Sequence, residues 1–400
     1  MRASYVMIVL AACGKTHELG DAGMNDAQRI DGGAGGTAHV RVHVTSWTGD
    51  GVEVAGARVE AASAGGAITG SVTTGADGRA ELDAPSGGMI VVTGAANDKT
   101  VIAAVKDGDA IEIGAPVPPP ELGTASIDFP LDGATQRYEL ATGCTFYDLG
   151  LPGYEVTLYE LCAGPRTIVV KADHGLQPPT YLIAPNITLT DGDDIALTGT
   201  YAAAAPATIG VTGFPANGNA NSIDVFRSEL AAGLPISDEA ARPALSGGAG
   251  SVVLSAPVGA GDRQLIQADF LIDRDTVFAY AETALGDATV PLDTLPELTI
   301  TGTGTWTLGP GAADGIFGTA MYRDSDGTSG ALRYVAPPDA TAIPVPDGVT
   351  ITAGGTGWIF ETSTIDGYDA YRAVAAHANG IPVTPPFGLG FRGAMRFFYS

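Results

Sequence analysis

The sequence predicts an all-β chain built from tandem small antiparallel β-sandwich modules. Three observations carry that prediction. Glycine and proline number 56 and 26 in 400 residues, about a fifth of the chain against about an eighth in ordinary proteins. Such a chain is punctuated by turns, which suits many short strands. Strict alternation of polarity opens at residues 38–44: Val40, Val42 and Val44 share one face, and His39, Arg41 and His43 the other. That is the pattern of a half-buried strand. Similar segments then return every 80 to 110 residues or so, roughly the size of one small sandwich.

Length and charge bound the rest. A chain of 400 residues exceeds one ordinary core and implies several domains. Lys and Arg total 20 and Asp and Glu 45, a net charge of −25. An acidic surface favours solubility and repels polyphosphates. Nucleic acid is therefore not an expected partner, because its binding needs a basic face. The acidity also suits calcium or a salty medium. Beyond residue 13 no apolar run is long enough to cross a bilayer as a helix.

At the N-terminus, Arg2 precedes the apolar run Tyr5-Val6-Met7-Ile8-Val9-Leu10, and Leu10-Ala11-Ala12-Cys13 follows. This resembles the lipobox of bacterial lipoproteins. The resemblance implies that residues 1–12 are a signal peptide and that the Cys13 sulfur receives a diacylglyceryl group after cleavage. It further implies anchoring to a membrane, and Gly14 in place of aspartate points to the outer membrane, facing periplasm or cell surface. The basic and apolar regions are shorter than the usual span of about 15 to 30 residues, so the expected start codon lies upstream. The alternative is a first strand with a buried cysteine. Residues 13–36 are polar and glycine-rich, ending Asp31-Gly32-Gly33-Ala34-Gly35-Gly36. They read as a flexible tether spanning roughly 25–30 Å.

Residues 37–115 form the first module. Val52-Glu53-Val54-Ala55-Gly56-Ala57-Arg58-Val59-Glu60-Ala61 precedes Thr73-Thr74-Gly75-Ala76-Asp77-Gly78-Arg79-Ala80-Glu81-Leu82, and Met89-Ile90-Val91-Val92 follows. Asp77-Gly78 is a good hairpin turn. This order resembles the carboxypeptidase regulatory-like family, a transthyretin-like β-sandwich. The resemblance implies a fold and no chemistry. His39 and His43 stand about 13 Å apart on a strand, too far to share one ion, so they are expected to face solvent.

Ala115-Pro116-Val117-Pro118-Pro119-Pro120 reads as an extended boundary. Beyond it, Thr167-Ile168-Val169-Val170 echoes Met89-Ile90-Val91-Val92, and the Asp191-Gly192-Asp193-Asp194 stretch echoes Asp107-Gly108-Asp109-Ala110. A third echo is read at Thr276–Tyr280 and Pro296–Thr301. The modules, Ig-like or transthyretin-like, are placed at 37–115, 123–202 and 206–308, with a β-rich C-terminal piece at 309–400. One large β domain after residue 205 is the alternative. Short helices are expected at 226–232, 237–245 and 366–378, and a closing strand at 392–399.

Cys144 and Cys162 lie nine positions either side of Gly153, at the tip of a predicted hairpin. In an oxidising compartment the pair reads as a disulfide, worth about 3 kcal/mol in the chain-entropy treatment. Two free thiols are the alternative. For chemistry, no Gly-x-Ser-x-Gly, His-Glu-x-x-His or Gly-x-x-x-x-Gly-Lys motif occurs. His174 reads as a turn histidine. Asp324 and Asp326, in Asp324-Ser325-Asp326-Gly327, form a candidate calcium loop, against a reading as a tight turn with solvated aspartates. Asp191, Asp193 and Asp194 read the same way. No other cofactor is implied. The expectation is a non-enzymatic, membrane-tethered envelope lipoprotein for binding, adhesion or scaffolding, with a protein or glycan ligand. A hydrolase of glycan or peptide with acidic catalytic residues and a calcium-dependent binding module are the alternatives.

Overall fold

The computed structural model describes residues 36–362 apart from 47–50, 95–96, 115–120, 134, 136, 143–145, 150–153, 160–162, 176, 232–233, 258–260, 262, 274 and 293–294, and also 367–369 and 392–399. The strands are β1 (Thr37–Val44), β2 (Arg58–Ala62), β3 (Ile68–Thr73), β4 (Arg79–Pro85), β5 (Met89–Thr93), β6 (Lys99–Ala103) and β7 (Ala110–Ile113). Then come β8 (Glu121–Asp128), β9 (Arg137–Ala141), β10 (Phe146–Leu149), β11 (Tyr154–Tyr159), β12 (Pro165–His174), β13 (Gln177–Thr188), β14 (Asp194–Ala196) and β15 (Ala202–Ala203). Next are β16 (Ala205–Thr212), β17 (Asp224–Ala231), β18 (Leu234–Ala241), β19 (Gly250–Ala256), β20 (Arg263–Ile272), β21 (Asp275–Ala284) and β22 (Ala288–Pro291). The last are β23 (Leu298–Gly302), β24 (Thr305–Leu308), β25 (Gly315–Asp324), β26 (Ser329–Ala336), β27 (Val349–Ala353), β28 (Thr356–Thr362) and β29 (Arg392–Tyr399).

The protein is all-β and its small sheets repeat. In β1 the alternation is realised: Val40, Val42 and Val44 are buried, His39 and Arg41 are exposed, and His43 is half-buried. β1 pairs antiparallel with β4, setting Val42 opposite Ala80, and parallel with β7, setting Val42 opposite Ile111. β8 stands the same way between β11 and β14, and β16 between β19 and β22. The companion strands are hydrogen-bonded in the orders β3-β2-β5-β6, β10-β9-β12-β13 and β18-β17-β20-β21. Three successive stretches therefore share one strand order. A parallel first-to-last pair needs a long crossover, and five intervening strands supply it each time.

The chain divides into two compact units. One comprises Met1–Pro118, Thr294–Pro385 and Met395–Ser400; the other comprises Pro119–Asp293 and Pro386–Ala394. Within the first unit, β26 joins β6 in parallel, Leu332 opposite Lys99, and β25 carries β26, β27 and β28. Buried Trp306 from β24 clusters with Met89, Val91, Val101, Tyr322 and Tyr334, its ring stacked 5.9 Å from that of Tyr334. Each such side chain contributes roughly 1.5–3 kcal/mol by leaving water. The run Met89-Ile90-Val91-Val92 is continuously apolar because that strand is buried on both faces.

Several expectations change. The hairpin expected around Gly153 does not form, because β10 pairs with β9 and β11 with β8, in different sheets. Residues 298–308, assigned to the third module, pack instead with the C-terminal strands, so the third sandwich closes at Pro291. The helices expected at 226–232 and 237–245 are the strands β17 and β18. Arg227 and Glu229 continue the inward stripe begun by Ile223 and Val225, and two buried charges disguise the alternation. Thr276–Tyr280 lies in β21, sixth in its sandwich, whereas Thr167–Val170 lies in β12, fifth in its own. β-Branched strands resemble one another regardless of place, which explains that misalignment. Of the helix expected at 366–378, residues 367–369 are described and helical.

Candidate functional site

Cys13, Cys144 and Cys162 lie outside the described residues. Asp324 and Asp326 sit at the turn joining β25 to β26. The Asp324 N–H donates to the Thr328 carbonyl at 2.7 Å, and its carboxylate lies 3.3 Å from the Lys99 ammonium. The Asp326 carboxylate accepts the Thr328 N–H at 2.8 Å, and this hydrogen bond holds its pKa below the usual range. Among the described residues no three His, Cys, Asp or Glu side chains gather in metal-binding geometry.

The acidic repeat spotted in sequence has a structural job. In the first sandwich the Asp107 carboxylate accepts the His39 N–H at 2.8 Å, and the Gly108 N–H returns to the His39 carbonyl at 2.9 Å. In the second, Asp191 accepts from Thr124 at 3.0 Å and Gly192 donates to the Thr124 carbonyl at 2.7 Å. In the third, Asp287 accepts from Thr208 at 2.7 Å. Each aspartate thus satisfies a strand N–H that has no ladder partner. Asp109 and Asp193 close the same turns by accepting the N–H of Lys106 and Thr190. The intervening Gly108 and Gly192 have φ of 83° and 79°, a region costly for any residue with a Cβ.

The histidines among the described residues are also partnered. His43 Nδ1 lies 2.5 Å from Glu112 and its Nε2 2.5 Å from Glu53. The two ring nitrogens diverge, so this is a clasp between strand and loop. His39 Nδ1 meets Asp83 at 3.1 Å, a hydrogen bond that raises its pKa. His174 Nε2 lies 3.0 Å from the Thr180 hydroxyl and 3.6 Å from Asp132. In a hydrolytic triad the carboxylate orients the ring through the other nitrogen. Here hydroxyl and carboxylate crowd the same one.

Two polar groups escaped sequence reasoning. Inside the third sandwich, Arg227 and Glu229 are 3% and 1% exposed and Gln264 is fully buried. The Arg227 Nε donates to Gln264 at 2.6 Å, and its Nη1 reaches the Leu254 carbonyl at 3.3 Å. The guanidinium therefore ties one sheet to the other. Glu229 accepts the Gly261 N–H at 2.6 Å, while burial pushes its pKa up. In the same unit, the Lys171 ammonium lies 3.0 Å from Glu139 and 2.7 Å from Glu239, all three largely buried. Burial alone would lower the lysine pKa; Glu239 and Glu139 outweigh it and hold it above the usual value. Glu239 also accepts the Tyr181 hydroxyl at 3.4 Å, joining the second sandwich to β18 of the third. The stripe Gln264, Ile266, Ala268, Phe270 was the available signal: a polar residue at the end of an apolar alternation. A depression of about 380 Å³ on the third sandwich is lined by Thr208, Gly210, Asp287, Ala288 and Thr289.

No protein-family model matches the chain, and no curated protein matches it. Among solved structures it is similar to a Bacteroides ovatus protein assigned as an adhesin, with 9% identity over 40% of this chain and 82% of that one, TM-score 0.19. A tetra-tandem repeat from the extending region of a large adhesion protein has 12% identity over 82% and 95%, TM-score 0.13. Two B repeat units of the Staphylococcus aureus collagen-binding protein have 11% identity over 80% and 95%, TM-score 0.15. At scores this low the likeness carries no argument about function.

Proposed function

We propose that the chain is a non-enzymatic, membrane-tethered lipoprotein of the cell envelope whose β modules serve binding, adhesion or scaffolding. The supporting observation is the threefold strand order whose loop aspartates, Asp107, Asp191 and Asp287, are committed to backbone N–H groups. Acids that bind their own backbone build a scaffold. Leu10-Ala11-Ala12-Cys13 supports the tether, with lipidation at Cys13 and the outer membrane as destination. The turn at Asp77-Gly78, with Ala80 and Leu82 buried behind it, supports a carboxypeptidase regulatory-like first module. Its ligand is a protein or a glycan.

Cell fractionation and the intact mass of the mature chain test this reading. The expected result is an envelope-bound protein that starts at Cys13 and carries acyl mass. A cytoplasmic protein retaining residues 1–12 would end the lipoprotein assignment.

A further inference from the structure

The third sandwich has one strand edge without the guards that the other two carry. β4, β11 and β19 hold the same place, each ending its three-stranded sheet beside the sandwich's first strand. β4 turns Arg79, Glu81 and Asp83 outward and ends on Pro85. β11 turns Glu155 outward and carries an irregularity between Leu158 and Tyr159. β19 presents Ser251, Val253 and Ser255, with no charge, no proline and an unbroken register. Charges, prolines and bulges are the devices by which native edges avoid pairing. Val253, mid-strand, is 65% exposed.

The backbone at this edge can be read from its neighbour. Thr208, opposite Val253, gives its N–H to Asp287 on the far side of β16. In that pair the backbones face away from each other, so the Val253 N–H and C=O point to the open edge. Antiparallel alternation puts Ser251 and Ser255 in the same orientation.

We propose that two copies of this chain pair antiparallel along β19, about a two-fold axis at Val253. The outward residues read Ser-x-Val-x-Ser in both directions. Val253 therefore meets its own counterpart and Ser251 meets Ser255, the self-complementarity that a two-fold interface requires. Two copies of net charge −25 repel wherever carboxylates meet; the outward side chains of this strand bring none together. The inference is independent of the lipoprotein assignment.

Sedimentation velocity of the full chain in mild detergent, over a wide concentration range, tests it. The wild type is expected to dimerise reversibly. Val253→Asp puts like charges on the axis and should weaken association at least tenfold, with a melting temperature equal to that of the wild type at concentrations where both are monomeric, because the side chain is exposed. Directly opposed hydrogen-bonded residues have Cα atoms about 5.5 Å apart, inside disulfide range. Val253→Cys should therefore yield a 253-to-253 cross-linked peptide on oxidation, whereas Val52→Cys, 57% exposed, should not. A wild type monomeric at every concentration, or a dimer indifferent to Val253→Asp, would overturn the proposal.

Discussion

The first and third sandwiches share a strand order and differ in how they place charge, although the first also buries Glu60 and Lys99. The first turns His39, Arg41, Glu81 and Asp83 outward and keeps Val40, Val42 and Val44 within. The third turns Thr208, Ser251 and Val253 outward and keeps Arg227, Glu229 and Gln264 within. Strand order is therefore not set by where charge sits. It follows from turns, from ladder register and from a filled interior. A buried guanidinium is tolerated because the carbonyls of Ala205 and Leu254 and the amide of Gln264 surround it; without such partners, desolvation would exceed any Coulombic gain.

The largest expected effect breaks that contrast directly. Arg227→Met should cost about 1–3 kcal/mol in urea unfolding, because the Gln264 side-chain oxygen is left buried without its donor and Glu229 loses the nearby positive charge. Adding Glu229→Leu and Gln264→Leu, which gives the third core the chemistry of the first, should recover most of the loss. Arg41→Ala, on the exposed face of the first, should stay within about 0.5 kcal/mol. A triple variant no better than the single one would mean that the polar groups also specify the packing.

A smaller effect tests what the sandwiches have in common. Asp191→Ala removes the acceptor of the Thr124 N–H and should cost about 1 kcal/mol, lowering the melting temperature by a few degrees; Asp107→Ala and Asp287→Ala should match it. Gly192→Ala should cost a similar amount through its positive φ, about 1 kcal/mol. If these losses differ severalfold between sandwiches, the turns are not equivalent.

The smallest effect is one of pH. Burial raises the Glu229 pKa in the folded chain. Its contribution to stability is therefore full below the ordinary glutamate pKa and is lost as pH rises through the folded value. Stability measured across that window should decline in the wild type and decline less in Glu229→Gln. Identical slopes would show that Glu229 ionises in the folded chain as it does unfolded.

Much of the fold was legible. The β1 alternation and the echo between 107–110 and 191–194 mark true places in the strand order, and Asp77-Gly78 marks a true turn, but β3 and β4 on either side of it pair in different sheets and form no hairpin. The polar core was not, because Arg227 and Glu229 occupy positions where a core residue is expected to be apolar, and Lys171 finds Glu239 only across a long sequence separation. The outward neutrality of β19 was visible in the letters, but its meaning required knowing that the strand lies at an edge.

Taken alone, the residues determined strand length, facing and turns, since alternation and Asp–Gly chemistry act over a few positions. Tertiary structure decided which distant strands pair, that residues 298–308 pack with the first sandwich's unit, and which charges go inside. Those outcomes depend on desolvation and on partners far away in the chain, and no local pattern records them.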